Sequence, residues 1–441
     1  MSQKLFGTDG VRGIANQELS PELAFRLGEA AAHFLGEHIV IGKDTRKSGD
    51  MLESMLAAGI MSQGATPHLA RVIPTPAIAY LTKNLALDGG IVVSASHNPP
   101  EYNGIKFFSA GGFKLPDALE DKIERYVLEE SVAKGVRPIG ERLGSLERID
   151  DAAQRYIEHA LSSAHDLSGL KVALDLGHGA SSFTTPEAFR RLGAEVFVIN
   201  DDYNGVDINV HCGSTHLEPL KAFVRECKAD IGFAHDGDAD RVLAVDETGE
   251  ELDGDYILAF SALDLKDQGK LAQNTLVSTV MANLGLKKFL EAHDILFEQT
   301  QVGDRYVLER MQEIGAVLGG EQSGHIIFLD KNTTGDGLLT ALELAGLLKK
   351  KGGKLSELKS LLKKYPQVLI NVKVQDKSGL ERNTNILEKQ KELEDILGAG
   401  GRILLRASGT EPLIRVMVEA ESEAQAQKIA KELADTVSKE L

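Results

Sequence analysis

The chain has 441 residues, 42% hydrophobic and 26% charged, an ordinary globular composition with room for about three domains of ~150 residues. Its 49 basic and 66 acidic side chains leave a formal net charge of −17, without the excess of Lys and Arg that non-specific nucleic-acid binding or an anionic membrane surface requires. No run approaches the ~20 apolar residues of a membrane span. The opening MSQKLFGTDGVRG has no apolar leader core, and Cys212 and Cys227 are too few for a disulfide framework. A soluble cytosolic protein is expected, with no nucleic-acid partner and no membrane partner.

Ser20 and Pro21 signal the start of a helix that carries Leu23, Leu27, Ala30, Ala31 and Phe34 at helical spacing. Residues 38–42 read as a strand, 50–63 as a helix and GIVVS (90–94) as a short buried strand. Gly-rich turns and a polar helix over 117–130 follow. GVRPIGERLGSL (135–146) mixes Gly, Pro and charge without period and marks a boundary. A helix over 151–163 then leads into a second round: strands at 171–176, 194–200, 230–234 and 241–246, with helices at 185–192 and 219–228. A third round has a long helix from about 256 and strands at 275–280 and 316–319. The tail from Gln367 reads strand, helix (383–397), strand (RILLRA), tight loop, strand (LIRVMVEA), helix (422–439). The seven lysines of 349–364 are expected on a solvated helix face and turn.

Alternating strands and helices predict an α/β fold: three related α/β domains with mixed, largely parallel sheets and a smaller C-terminal α+β domain. The expected segments are 1–148, 149–254, 255–365 and 366–441. GIVVS, DIGFA and AVLG each run into a polar, Gly-containing loop. Open α/β sheets bind ligands at the carboxyl ends of strands, so these three loops are expected to face one cleft.

The sharpest local feature is DGDADR. Asp236, Asp238 and Asp240 repel one another unless a cation neutralises them, and an all-oxygen set suits Mg²⁺. An EF-hand fails, because its sixth position is Arg241 where Gly is needed. In SASHNP, Ser96 follows a buried strand with His97 beside it, and Lys106 in NGIK adds a movable charge. RASGTEPLIR joins two strands; Arg406, Ser408, Gly409, Thr410 and Arg415 have the hydroxyl, backbone and guanidinium groups a phosphate dianion takes. Glu321, Ser323 and His325 of GEQSGH suit sugar hydroxyls, and Arg12 is the anion ligand of GTDGVRG. GHGASS (177–182), with Asp201 after the next strand, comes close to a dinucleotide fingerprint, and no Walker A loop exists.

Together SASHNP, DGDADR, GEQSGH and RASGTEPLIR, in that order and at domain-sized intervals, resemble the α-D-phosphohexomutase superfamily. FGTDGVRG, the SASHNP–NGIKFF pairing and the GEQSGH form are most similar to its bacterial amino-sugar branch. The resemblance implies four domains around a central cleft, with Ser96 as the phosphoserine. Asp236, Asp238, Asp240 and a phosphate oxygen on Ser96 would hold one Mg²⁺. Lys106 would be the general acid/base, with His97, Arg12 and Arg241 in the catalytic set. Glu321, Ser323 and His325 would meet the sugar, and Arg406, Ser408, Gly409, Thr410 and Arg415 the non-transferred phosphate. The implied activity interconverts glucosamine 6-phosphate and glucosamine 1-phosphate through a hexosamine 1,6-bisphosphate, which also serves as activator, in UDP-N-acetylglucosamine and peptidoglycan precursor synthesis. The alternatives are glucose or mannose specificity, a dehydrogenase resting on GHGASS, and a non-catalytic sugar-phosphate sensor. Homodimerisation is left open.

Overall fold

The computed structural model describes residues 4–7, 9–129, 137–408 and 412–441. It divides into two compact units, Met1–Met281 with Ile295–Lys359, and Ala282–Asp294 with Ser360–Leu441.

The larger unit begins as its sequence predicts. Ser20 Oγ accepts from Leu23 N at 3.2 Å and caps the helix Pro21–Phe34. Leu27, Ala30 and Ala31 are fully buried, and this helix packs closely on Gly49–Ser62. A Cβ on Gly59 would stand 3.1 Å from Gly28 Cα, so only glycines allow this approach. In the first sheet Gly89–Val93, His38–Lys43 and Thr66–Val72 run parallel at the centre. Tyr102–Ser109 and then Val11–Ile14 add antiparallel on one side, and Glu147–Arg148 adds parallel on the other. Central parallel strands are covered on both faces, which explains the unbroken apolar runs IVIG and GGIVV.

The second sheet has Glu195–Ile199, Lys171–Asp175 and Ile231–His235 in parallel, then antiparallel Val242–Asp246 and Glu251–Leu252. The third has Leu296–Thr300, Thr275–Thr279 and Leu318–Gly320 in parallel and an antiparallel Ile326–Phe328. The expected mixed, largely parallel sheets are therefore present.

Several elements differ from expectation. The turns predicted after Asn98 give way to the strand Tyr102–Ser109, hydrogen-bonded on both sides. Its Gly104 is needed for packing, since a Cβ there would collide with the backbone oxygen of Ser94. Thr66–Val72, the helices Thr75–Asn84 and Asp304–Ile314, and Leu296–Thr300 were not predicted. Leu296–Thr300 is an edge strand with no buried side chain, so no apolar run announces it.

In the smaller unit Leu413–Glu419 lies between Gln367–Lys373 and Arg402–Ala407, all antiparallel. Thr384–Leu397 and Glu423–Glu440, capped by Asn383 and Ser422, complete the expected α+β domain. Its core includes Ile386, Leu393, Ile414, Val416, Val418 and Leu433. The helix Leu284–Ala292 belongs to this unit through fully buried Glu419, which accepts from Leu284 N (2.9 Å), Asn283 Nδ2 (3.1 Å) and Arg402 Nε (2.7 Å). Among the described residues, no helix is long and apolar enough to cross a membrane.

Candidate active site

Ser96 sits just beyond the carboxyl end of Gly89–Val93, with its backbone in the left-handed region (φ 53°). That conformation is uncommon for a residue with a Cβ and marks a held loop. Its Oγ donates to Asp236 Oδ2 at 2.6 Å and lies 3.4 Å from His97 Nδ1. Burial, helped by Arg241 and Arg12, lowers the His97 imidazole to about 4, so it stands neutral.

Asp236 follows Ile231–His235 directly, and Asp238 and Asp240 lie in the turn before Val242–Asp246. All three are buried, each with an oxygen inside one 4.8 Å cluster. Asp238 Oδ1 and Asp240 Oδ1 are buried without a hydrogen-bond partner. Burial and its two acidic neighbours push the Asp236 carboxyl well above its usual range. Converging, orphaned carboxylate oxygens fit a hard divalent cation, which would satisfy them and relieve the repulsion.

Gly237 lets the serine and carboxylate loops meet, since a Cβ there would stand 2.7 Å from Ser96 O. GHGASS supports the same turn. Ala180 N donates to Gly237 O at 2.9 Å, and a Cβ on Gly179 would lie 2.6 Å from that oxygen. The dinucleotide reading fails here, because the Gly237 backbone fills the space a pyrophosphate would need.

Lys106 is 2% exposed on Tyr102–Ser109, neither a loop nor a surface residue. Its Nζ lies 2.8 Å from Asp238 Oδ2, 3.0 Å from Asp9 Oδ2 and 3.6 Å from Asp240 Oδ2. Burial alone would lower its pKa, but these carboxylates outweigh it and keep the ammonium charged. Asp9 also pairs with Arg12 and accepts from Lys114 Nζ at 2.6 Å. Arg241 Nε is 3.9 Å from Asp240 Oδ1.

The GEQSGH loop reaches the same place. Val242 N donates to Gly324 O at 3.1 Å, which ties this loop to the strand after DGDADR. Glu321 is half-buried and raised by burial, and Ser323 is exposed. His325 is buried, with Nδ1 3.6 Å from Asp240 Oδ2 and Nε2 accepting from Gly335 N at 3.1 Å. It therefore braces a carboxylate of the cluster.

In the smaller unit Arg406 and Arg415 are directly paired across two strands. Burial and the Arg415 charge lower the Arg406 pKa. Like charges opposite each other are unfavourable and suit an anion. Ser408 is buried beside them, and Gly409 and Thr410 lie outside the described residues.

Models of the phosphoglucomutase/phosphomannomutase family match the chain in four consecutive pieces: α/β/α domain I over 3–134, domain II over 154–249, domain III over 253–365 and the C-terminal domain over 369–436. The chain belongs to the phosphoglucomutase/phosphomannomutase family. It is 53% identical to the phosphoglucosamine mutase of Clostridium novyi (strain NT), covering 98% of each chain, and 52% identical to that of Clostridium tetani (strain Massachusetts / E88), covering 99% of each. A phosphoglucomutase/phosphomannomutase family protein from Burkholderia thailandensis has the same fold (TM-score 0.83, 25% identity, 100% and 98% coverage). So does an Aspergillus fumigatus N-acetylphosphoglucosamine mutase in complex with GlcNAc-6P and magnesium (TM-score 0.69, 18% identity, 99% and 95% coverage).

Sequence reasoning missed several residues in this candidate site. Asp9 sits in the loop from which only Arg12 was singled out. Thr75 Oγ1 donates to Asp238 Oδ2 at 2.6 Å. Lys114 and Asp304 form a half-buried ion pair. None has a local signal, because each becomes charged company for the site only through the fold.

Proposed function

We propose that the chain interconverts D-glucosamine 6-phosphate and α-D-glucosamine 1-phosphate by passing a phosphoryl group through Ser96. The observation that carries this is the Ser96–Asp236 contact, found in a chain 53% identical over nearly its full length to a phosphoglucosamine mutase.

Phosphorylated Ser96 carries about −1.5 to −2 charge, and the incoming sugar phosphate is anionic too. Phosphoryl transfer is governed by positioning and electrostatic stabilisation, so the site must cancel this repulsion. Asp236, Asp238 and Asp240, with a phosphate oxygen on Ser96, would hold Mg²⁺, which when bound neutralises charge on the transferring group. Arg12 and Arg241 add fixed positive charge, and neutral His97 stands beside the reacting oxygen. Ser96 Oγ gives its phosphoryl group to one sugar hydroxyl and makes a 1,6-bisphosphate. The other phosphoryl group then returns to Ser96 Oγ, so phosphate moves between C6 and C1. Lys106 is the group we assign to proton exchange: its ammonium gives a proton to the oxygen that loses the phosphoryl group, and the amine so formed takes the proton of the hydroxyl that gains it.

Glu321 and Ser323 are assigned to sugar hydroxyls, with His325 behind them. Arg406, Ser408, Gly409, Thr410 and Arg415 are assigned to the non-transferred phosphate, which either end of the bisphosphate can supply. The bisphosphate also primes Ser96 as activator, and the reaction belongs in the cytosol beside its charged substrates.

Phosphorus NMR tests this. Protein, Mg²⁺ and a trace of the matching hexose 1,6-bisphosphate are given glucosamine, glucose or mannose 6-phosphate in parallel. Fastest appearance of glucosamine 1-phosphate is expected. Faster conversion of glucose or mannose would overturn the amino-sugar assignment, and no turnover with Ser96 phosphorylated would overturn the mutase.

A further inference from the structure

The serine loop exposes a row of carbonyl oxygens on the side away from the carboxylates, and two side chains collect them. Arg46 is 2% exposed. Its Nη2 donates to Ser96 O (2.9 Å) and Asn98 O (2.7 Å), its Nη1 to Tyr102 O (3.0 Å) and to Pro99 O, and its Nε to Asp44 Oδ2 (2.9 Å). All five guanidinium donors are used. Asn209, from the loop after Glu195–Ile199, reaches the same two carbonyls. Its Nδ2 donates to Ser96 O at 2.8 Å and Asn98 O at 3.1 Å. The amide orientation follows from chemistry, since an oxygen in that place would face two others.

The amide side of Ser96 is held as well. Ser96 N donates to Ser94 Oγ (2.9 Å), which donates to Asp44 Oδ2 (2.6 Å). Asn209 reaches across from the second sheet's segment, and its loop is pinned nearby. Lys47 N donates to Gly205 O at 3.0 Å, and Thr45 Oγ1 donates to His178 O at 2.5 Å. A Cβ on Gly205 would come within 2.7 Å of Lys47 N.

We propose that Asn209 is a positioning residue for phosphoryl transfer. It clamps the carbonyls of Ser96 and Asn98 together with Arg46, and so holds the left-handed Ser96 with its Oγ aimed at the carboxylate cluster. Without it the serine loop keeps its fold through Arg46 but loses the second donor that fixes its angle. An error of about 1 Å in a reacting atom costs up to ~100-fold in rate. The inference rests on Ser96 being the phosphoryl carrier.

The test compares Asn209→Asp and Asn209→Ala with wild type and with Ser96→Ala. The Asp variant keeps the side-chain shape and removes the donors. Both Asn209 variants are expected to lower kcat by roughly tenfold to 100-fold, with KM for the sugar phosphate close to wild type; the melting temperature stays close to wild type in Asn209→Ala and falls in Asn209→Asp, whose carboxylate faces the two carbonyl oxygens. Arg46→Lys, with three donors in place of five, is expected to lower kcat and the melting temperature together, because Arg46 also holds the fold of the loop. Wild-type kcat in Asn209→Asp, or loss of kcat, KM and melting temperature together in both Asn209 variants, overturns the clamp. Activity in Ser96→Ala would overturn the phosphoserine reading instead, so the two failures are distinguishable.

Discussion

Ser96 Oγ donates to Asp236 Oδ2 across 2.6 Å, although 140 positions separate the two in the chain. The contact joins a loop of the first sheet to a loop of the second at the carboxyl ends of parallel strands, where open α/β sheets present their ligands. The oxygen we assign to phosphoryl transfer and the carboxylates we assign to the metal are thus brought together by the fold.

Ser96→Ala removes the oxygen we assign to carrying the phosphoryl group. Turnover is expected to vanish while the circular dichroism spectrum and melting temperature stay near wild type, because a small buried hydroxyl is lost without opening a large cavity. Residual activity by phosphorus NMR would remove Ser96 from the chemistry.

Asp236→Asn puts a neutral amide in place of one acid of a buried, mutually repelling trio. In a chelator the variant is expected to melt no lower than wild type, since repulsion is relieved. Wild type gains about 2.7 kcal/mol when Mg²⁺ is at 100 times its dissociation constant; the variant is expected to lose most of that gain and its activity. Thermal melts with and without Mg²⁺ read both effects, and an undiminished Mg²⁺ shift in the variant would take Asp236 out of the metal site.

Arg415→Ala leaves Arg406 as the sole guanidinium of that pair. Hydrogen bonds to charged groups contribute about 1.5–3 kcal/mol, so KM for the sugar phosphate is expected to rise by roughly tenfold to 100-fold, with a smaller change in kcat. Steady-state kinetics decide it, and an unchanged KM would place the phosphate elsewhere.

Lys114→Met takes one cation from Asp9, which keeps Lys106 and Arg12, and removes the ammonium paired with Asp304. Breaking a buried pair by removing one partner costs about 3–5 kcal/mol. This pair is half-buried and Asp9 keeps two other cations, so urea unfolding is expected to show a smaller loss, partly recovered when Asp304→Asn is added. A neutral single variant would show that solvent reaches these carboxylates.

Burial, and then the Asp175 charge, push the Cys212 thiol up to about 12, and the side chain is 2% exposed. Its thiolate is therefore nearly absent at pH 8. A disulfide reagent is expected to titrate at most Cys227 in the native protein and both thiols after unfolding. Prompt reaction of two thiols in the native state would contradict the packing around Cys212.

Much of this was readable locally. The Ser20 and Pro21 helix start and the β-branched strand at 90–94 follow from residue chemistry. The alternate acids of 236–240 announce a cation because their repulsion is a property of neighbours in sequence. The C-terminal unit was legible for the same reason: each of its expected strands and helices carries its own period and caps. Tyr102–Ser109 was not, because Asn103 and Gly104 look like a turn until Val11–Ile14 and Gly89–Val93 pair with it on either side. GHGASS misled because a Gly-rich turn has one appearance in sequence whether it receives a phosphate or another stretch of backbone.

The sequence alone determined the fold class, the order of the four motif loops and the kinds of atoms each offers, because periodicity, turn chemistry and charge are local quantities. Only the tertiary structure decided that Lys106 is buried among carboxylates, that His325 braces Asp240, that Arg46 and Asn209 donate to Ser96 O, that Thr75 donates to Asp238 and that Asp9 pairs with Lys106. Those roles come from Coulomb and hydrogen-bond energies between groups dozens to hundreds of positions apart, and such energies do not exist until the chain brings the groups within a few ångströms.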